Sequence, residues 1–340
     1  MARNLQVTLV SRPAGEPKET DFGLVESVVP EPGEGDVLVR NLWLSLDPYM
    51  RGRMSEARSY ARPVELGEVM TAQAVGEVVE SRSSRFAVGE IVVGQFGWQE
   101  FAAAPAHHVR RVDPDVAPIS TALHVLGMTG LTAYFGLFEV CRPLPGDTVV
   151  VSAASGAVGQ IVGQLARIAG CRAVGLAGSP EKVDDLLELY GYDAGIDYKA
   201  EDVDDALKRT CPDGVNVYFD NVGGEISAAV HRRLAQKAQV AICGQISEYN
   251  QMPPQGGPQS LSFLIVRRAR IEGFLVSDFS HLFEPALARL AGWLSEGRLR
   301  YREDVVAGLE QAPGAFIGLF NGVNRGKLLV KVAERFVASS

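Results

Sequence analysis

The stretch from Val149 to Gly163, VVVSAASGAVGQIVG, constrains the fold more than any other part of this 340-residue sequence. Its β-branched start predicts a buried strand, and a helix is expected over Ala157–Ala169. Gly156 would let the backbone approach a pyrophosphate, and Gly159 would let the helix pack closely on the strand. Ala154 stands where the usual fingerprint has its first glycine. A strand before and a helix after favour dinucleotide binding over a purely structural glycine turn.

The choice of dinucleotide depends on the end of the second strand, about 20 residues further on, where NAD-binding chains place Asp or Glu. Here the strand Cys171–Ala177 runs into Gly178 and Ser179, and there is no carboxylate. Lys182 follows at the start of a helix that Ser179 and Pro180 predict, and Tyr198 follows the third strand. An anionic 2′-phosphate would find a cation and donors, which favours NADP. The alternative is that Lys182 is an ordinary solvated lysine.

The chain changes its rhythm near Leu126. Before it, short strands bounded by Gly and Pro predict a barrel or sandwich-like unit: Gln6–Val10, Asp36–Arg40, Gly76–Glu80 and Gly89–Gly94. After it, strands alternate with helices, which predicts a doubly wound parallel sheet. The expected strands are 147–152, 171–177, 215–220, 240–243, 271–276 and 326–332. The expected helices are 157–169, Ser179 to near Gly191, and 282–296. Asn250–Ser260, NQMPPQGGPQS, is expected to be a loop.

Composition excludes several classes of protein. A net charge of −8 gives no general attraction to nucleic acid or anionic lipid. The four cysteines form no CxxC pair and predict buried, reduced thiols, and no signal peptide is apparent, so we expect a cytoplasmic protein. The uncharged windows Val116–Phe138 and Thr148–Ala166 break more naturally into short soluble elements than into membrane spans.

Several motifs together resemble one family over essentially the whole chain. They are LDPYMRGRM at 46–54, the Ala154–Gly159 turn, DNVGG at 220–224, CGQISEYN at 243–250, GFLVSDF at 273–279 and FIGLFNGVNRGK at 316–327. The chain resembles the zinc-independent medium-chain dehydrogenases/reductases, in the group of alkenal, prostaglandin/leukotriene and curcumin reductases. The resemblance implies a GroES-like β-barrel substrate domain over 1–125, a Rossmann NADP-binding domain over 126–300, a returning segment over 301–340, and a homodimer.

The same resemblance implies reduction by NADPH of the C=C bond of small enones and enals, in a cleft between the two domains. The implied cofactor-binding residues are Ser155, Gly156, Ala157, Val158, Gly159, Gly178, Lys182, Tyr198, Asn221, Cys243, Gly244, Gln245, Ile246, Ser247, Tyr249, Phe274, Leu275, Val276 and Asn324. Hydride addition leaves an enolate that needs a hydrogen-bond donor and a proton, which a tyrosine hydroxyl can supply. Tyr249 is the first candidate and Tyr49 the second, and for both the alternative is aromatic packing.

No metal site is expected. Zinc-dependent relatives need a Cys and a His in the substrate domain, where this chain has Asp47–Arg51 and Gly67–Met70. His107 and His108 are interpreted as a surface pair, and Arg51 as an anchor of the fold. Glu248 and Glu90 depart from the family pattern, and Glu248 could alter the electrostatics of the loop. A quinone reductase and a non-catalytic NADPH-binding protein stay as alternatives, which turnover of an enone or a quinone would distinguish.

Overall fold

A computed structural model describes residues 3–251 and 261–335. Residues 3–123, 303–324 and 328–335 form one compact unit, and residues 124–251, 261–302 and 325–327 form another. We call them the barrel unit and the sheet unit, in that order. Of the predicted Asn250–Ser260 loop, residues 252–260 lie outside the described part. No helix among the described residues is long and apolar enough to cross a membrane.

The strands are β1 (Arg3–Leu9), β2 (Phe22–Val28), β3 (Asp36–Ser45), β4 (Gln73–Ser81), β5 (Ile91–Gln95), β6 (Phe101–Pro105), β7 (Arg110–Arg111), β8 (Thr148–Val151), β9 (Arg172–Ala177), β10 (Ala194–Asp197), β11 (Val215–Asp220), β12 (Leu234–Ile242), β13 (Arg270–Gly273), β14 (Glu303–Ala307) and β15 (Lys327–Lys331). The α-helices are α1 (Met50–Arg53), α2 (Met128–Phe135), α3 (Gly159–Ile168), α4 (Pro180–Asp184), α5 (Val203–Thr210), α6 (Gly224–Arg232), α7 (Ser262–Arg267), α8 (Phe283–Ser295) and α9 (Ala312–Phe320). Helix α2 continues as a π-helix over Gly136–Cys141, and α4 over Asp185–Leu189.

The sheet unit is built on six parallel strands in the order β10-β9-β8-β11-β12-β13. The central strand β8 is buried on both faces, which is why its three valines are consecutive rather than alternating with polar residues. The strand order reverses between β8 and β11, so their carboxyl ends form the switch point at which open α/β sheets bind ligands. The predicted Rossmann-type sheet is confirmed.

The barrel unit is β-rich, as predicted. Its larger sheet follows the order β14-β15-β3-β4-β5-β7, with β6 pairing β3, while β1 and β2 form a separate antiparallel pair. Its core includes the stacked rings of Phe22 and Trp98, whose centroids lie 5.6 Å apart, with Phe316 of α9 set edge-on against both. Strand β14, helix α9 and residues 328–331 of β15 thus belong to this unit.

Several predicted boundaries were wrong. The strand expected over Ile271–Val276 ends at Gly273, and residues 276–282 form a 3₁₀-helix. The ring of Phe274 instead packs against Phe219, centroid to centroid 6.3 Å, so the chain leaves the sheet edge to bury it. Strand β12 begins at Leu234 rather than Val240, and helix α3 begins at Gly159 rather than Ala157.

Candidate functional site

The turn after β8 has the shape that a pyrophosphate-binding turn requires. Ala153 adopts a left-handed conformation with φ of 46°, and the Gly156 N–H donates to its carbonyl at 2.9 Å. A Cβ on Gly159 would lie 2.4 Å from that carbonyl oxygen and 2.7 Å from the Cα of Ala154, and a Cβ on Gly156 would lie 3.1 Å from the same oxygen. Close backbone approach therefore requires glycine at position 159 and leaves little room for a side chain at position 156, and the turn fits a dinucleotide.

Ala154 occupies the first position of the fingerprint without strain. It is fully buried, and its N–H donates to the Leu176 carbonyl at 2.9 Å, which extends the pairing of β8 with β9. A Cβ on Gly175 would lie 2.7 Å from the Cβ of Ala154. Gly175 on the neighbouring strand β9 thus leaves the space that the Ala154 methyl group occupies.

Helix α3 is fixed from two sides. The Tyr192 hydroxyl donates to the Gly159 carbonyl at 2.6 Å, and its ring fills the space left open at Gly163. On the other side, Gln160 and Gln164 bind main chain: the N–H groups of Arg302 and Arg300 donate to their side-chain oxygens at 2.9 Å and 2.7 Å. Sequence reasoning missed all three side chains because their partners lie far along the chain.

The segment after β9 begins as predicted. The hydroxyl of Ser179 accepts the Lys182 N–H at 3.4 Å, with Pro180 in the first turn. A Cβ on Gly178 would lie 2.7 Å from the Tyr198 hydroxyl, so this pair approaches closely. Burial and then Asp197 raise the pKa of Tyr198, which keeps the hydroxyl a hydrogen-bond donor.

Two arginines that the sequence did not single out lie beside this segment. Arg325 donates to Asp185 through two nitrogens, at 2.8 Å and 2.9 Å, and to the Glu181 carbonyl at 3.1 Å. Arg302 reaches the same carboxylate at 3.4 Å. The charge of Asp185 is therefore balanced by two cations, which makes the segment that begins at Ser179 less acidic than its sequence alone indicates.

Asp220, at the carboxyl end of β11, organises the neighbouring loop. It is fully buried, and one of its oxygens accepts the N–H groups of Val222 and Gly223, both at 3.0 Å, and the Tyr218 hydroxyl at 2.8 Å. Its other oxygen accepts the Ser227 hydroxyl at 2.5 Å. A buried carboxylate with this many donors fixes the loop that carries Asn221.

The predicted cofactor-binding residues Asn221 and Ser155 lie at the switch point. The Asn221 amide donates to the Ser152 carbonyl at 2.8 Å, and its N–H donates to the Ser152 hydroxyl at 2.9 Å. Ser155 is buried in the turn between Ala154 and Gly156. The carboxyl ends of β8 and β11 are thereby joined directly, which brings together the two loops that sequence reasoning singled out separately.

The Cys243–Tyr249 loop is tied to the Asp220 loop. The N–H groups of Cys243 and Gly244 donate to the Asp220 carbonyl at 2.8 Å and 3.1 Å, and the Ser247 N–H donates to the Val222 carbonyl at 3.1 Å. Burial and then Asp220 raise the pKa of the Cys243 thiol to about 12. This cysteine is therefore a protonated thiol at neutral pH, not a nucleophile.

Tyr249 folds back over its own loop. Its hydroxyl oxygen accepts the Gln245 N–H at 3.3 Å, and a hydroxyl that accepts in this way can also donate its own proton. The preceding residue, Glu248, reaches the start of α6, where its carboxylate accepts the Gly224 N–H at 3.3 Å. The N-cap residue of α6 is Gly223, which has no side chain that could accept a hydrogen bond from the helix. The carboxylate of Glu248 therefore caps α6 from the loop.

The remaining predicted cofactor-binding residues lie in three parts of the structure. Phe274 packs on Phe219, while Leu275 and Val276 lead into the 3₁₀-helix of residues 276–282. Asn324 belongs to the barrel unit and is half-buried. Ile246, Ala157 and Val158 are half-buried within their loops.

In the barrel unit, Tyr49 precedes the short helix α1 and packs against the core. Burial raises the pKa of Tyr49, and the Asp47 carboxylate adds to this, whereas the Arg53 guanidinium lowers it. The hydroxyl is therefore protonated at neutral pH and can donate. Arg51 donates to the carbonyls of Gly15, at 2.9 Å, and Pro13, at 3.3 Å, and so anchors the fold as predicted.

Sequence reasoning also missed His124. It is fully buried, and its Nε2 lies 3.2 Å from the Ala157 carbonyl in the pyrophosphate turn, so this nitrogen carries the proton and donates. The Tyr301 ring is set edge-on to it, with centroids 5.7 Å apart. The signal available in the sequence was that His124 is the single histidine in the window Val116–Phe138, which has no Asp, Glu, Lys or Arg.

Among residues 3–251 and 261–335, no group of three or more His, Cys, Asp or Glu residues lies close enough together to hold a metal ion. His107 and His108 are exposed, with ring centroids 4.0 Å apart.

The chain is similar to known reductases over almost its whole length. A family profile described as the N-terminal domain of oxidoreductase matches residues 5–112, and one described as zinc-binding dehydrogenase matches residues 157–292. An NADPH-dependent curcumin reductase of Escherichia coli is 41% identical over 97% of this chain and 97% of that protein. A 2-alkenal reductase (NADP⁺-dependent) of Nicotiana tabacum is 44% identical over 97% of this chain and 98% of that protein. The structure of CurA in complex with NADPH from Vibrio vulnificus covers 98% of this chain and 100% of that one, with a TM-score of 0.93 and 42% identity.

Proposed function

The chain belongs to the zinc-independent medium-chain dehydrogenases/reductases, and on that premise we propose that it uses NADPH to reduce the C=C bond of α,β-unsaturated ketones and aldehydes. The observation that carries the proposal is full-length identity above 40% to a curcumin reductase and a 2-alkenal reductase, both named as NADP-dependent.

The sheet unit fits the cofactor. Gly156 would let the backbone of the turn approach the pyrophosphate, Gly159 lets α3 begin close against the turn, and Lys182 and Tyr198 would hold the 2′-phosphate. We propose that Asn221, the Cys243–Tyr249 loop, the Phe274–Val276 backbone and Asn324 hold the remainder. When bound, NADPH supplies a hydride to the β-carbon of the substrate.

The tyrosines are proposed to act on the substrate oxygen and the α-carbon. Once hydride has added to the β-carbon, the C=C electron pair shifts and the carbonyl oxygen becomes an enolate oxygen. The Tyr249 hydroxyl is held on its loop by the Gln245 N–H, which uses the acceptor side of the oxygen. With its proton it can donate to the enolate oxygen or relay a proton to the α-carbon. Tyr49, whose pKa is raised by burial, is a second such donor.

We also propose the domain assignment 1–125, 126–300 and 301–340, a cytoplasmic location and a homodimer. The free state of all four cysteines agrees with a reducing compartment. Strand β13 is an edge of the parallel sheet, and Ile265 and Val266 of the adjacent α7 are 81% and 68% exposed. An edge strand beside exposed apolar side chains is a surface suited to a second copy, which light scattering coupled to size exclusion tests.

The activity is tested by NADPH oxidation with a panel of enones, enals and quinones, followed by identification of the products. We expect enones and enals to give saturated ketones and aldehydes. Turnover of quinones alone would assign the chain to quinone reduction, and cofactor binding without any turnover would make it a binding protein.

A further inference from the structure

The side chain of Arg53, at the end of α1, has an unusual environment. Its guanidinium carbon lies 4.5 Å from the ring centroid of Tyr60 and 5.7 Å from that of Tyr49, distances typical of cation–π contacts. Its Nη1 atom is buried and has no hydrogen-bond partner. Within residues 3–251 and 261–335, no ion pair or hydrogen bond to this guanidinium occurs.

Arg51, two residues earlier on the same helix, is the natural comparison. Its guanidinium is buried and donates to main-chain carbonyls of Pro13 and Gly15. The same turn of chain therefore provides one arginine with acceptors and one without. The difference is specific to the side of α1 on which Tyr49 lies.

Arg53 is half-buried, and the cost falls on Nη1: a buried nitrogen of a charged group that has no acceptor loses water and gains no hydrogen bond. Aromatic faces return part of that energy, but they offer neither a lone pair in the plane of the guanidinium nor a counter-charge. Where a native fold keeps such a group, an absent ligand is one of the few physical explanations. A planar guanidinium preferentially binds an oxygen anion.

We propose that Arg53 is a further catalytic residue, which together with the Tyr49 hydroxyl binds the oxygen of the substrate that becomes the enolate oxygen. The inference rests on the proposed function for the identity of that oxygen. As hydride adds to the β-carbon, the displaced electron pair places negative charge on the oxygen, and Arg53 and Tyr49 both keep their protons while donating to it. The enolate then collapses to the saturated carbonyl compound as its α-carbon takes a proton from solvent water, directly or relayed through the Tyr249 hydroxyl.

A guanidinium stabilises the oxygen more as its charge grows, so it acts on the chemical step rather than on substrate binding. Its contact with the Tyr49 ring gives the pair a fixed geometry, because the tyrosine is half-buried and packed on the core. Tyr60 lies on the exposed surface and is the more movable of the two rings.

The first test is single-turnover NADPH oxidation with a simple enone, using Arg53→Met and Arg53→Lys. Arg53→Met should slow hydride transfer by about 100-fold, the lower end of what the loss of one oxyanion donor costs, while NADPH affinity is unchanged. Arg53→Lys should recover part of the rate because it keeps the charge. Arg62→Met is the matched control: Arg62 donates to Glu68 at 2.9 Å and 3.0 Å and should not affect the rate.

The second test does not depend on turnover. 4-Nitrophenol, whose phenolate absorbs visible light, is titrated with pH in the presence of the NADP⁺-loaded protein. We expect bound probe to ionise at lower pH with the wild type and with Arg53→Lys than with Arg53→Met. Thermal melting verifies that each variant is folded.

The two tests separate the possible failures. If no enone is reduced but the probe still ionises more readily beside Arg53, the proposed function is wrong and the oxygen-anion site stands. If folded Arg53→Met keeps both the wild-type rate and the wild-type probe titration, the inference is overturned.

Discussion

Replacing Gly163 with alanine tests how the pyrophosphate helix is held in place. A Cβ at this position in α3 would lie 1.9 Å from the Cζ atom and 2.4 Å from the hydroxyl oxygen of Tyr192. Tyr192 is buried and donates to the Gly159 carbonyl at 2.6 Å. The ring must therefore move and break that hydrogen bond at the first residue of the helix.

The magnitude follows from three contributions. Overpacking a core costs about 1–3 kcal/mol, and a buried hydroxyl left without its partner costs about 1–3 kcal/mol more. Alanine recovers about 1 kcal/mol of helix propensity relative to glycine. We expect Gly163→Ala to lower the free energy of unfolding by about 1–5 kcal/mol and to weaken NADPH binding, because Gly159 begins the helix that borders the pyrophosphate turn.

Gly292 is the matched control, since it lies in α8 and a Cβ there would meet nothing within 4 Å. Gly292→Ala should therefore be neutral or stabilising by up to about 1 kcal/mol. Urea denaturation of both variants gives the free energies, and Gly163→Ala/Tyr192→Leu should recover stability because the smaller side chain removes the overlap. Equal stability of Gly163→Ala and the wild type would refute this account of the packing.

Four further outcomes are expected. Tyr249→Phe should slow single-turnover NADPH oxidation about 10–100-fold with cofactor affinity kept, and an unchanged step would assign the ring to packing. Lys182→Ala should narrow the preference for NADPH over NADH by about 1–2 kcal/mol, measured from kcat/KM; equal use of both cofactors by the wild type would contradict it. Glu248→Ala should lower the free energy of unfolding by about 1 kcal/mol through loss of the carboxylate at the Gly224 N–H, with Glu248→Gln intermediate; no loss in urea would show that this cap is unimportant. Metal analysis should find no stoichiometric zinc, and chelators should leave activity intact; activity lost to a chelator and restored by zinc would contradict this.

Local signals made part of the site predictable. The strand, turn and helix from Thr148 to Ile168 could be recognised because β-branched residues and two glycines occur within one short stretch. The N-cap at Ser179 was likewise local, with Pro180 directly after it. In both cases the physical cause lies within a few residues of its effect.

What could not be predicted depends on partners distant in sequence. Asp185 is neutralised by Arg325, 140 residues away, and no periodicity indicates such a pair. The early half of β12 escaped detection because its LAQKAQ sequence has polar residues facing outward and lacks a β-branched run. The capping role of Glu248 required the Asp220 and Cys243–Tyr249 loops to be placed side by side.

The most direct test of the proposed reaction follows one deuterium atom. The protein is incubated with an α,β-unsaturated ketone and NADPH that carries deuterium as the transferable hydrogen at nicotinamide C4, and the product is examined by NMR. We predict a saturated ketone with deuterium on the β-carbon and a solvent proton on the α-carbon. An allylic alcohol with deuterium on the former carbonyl carbon would contradict the reaction proposed for this chain.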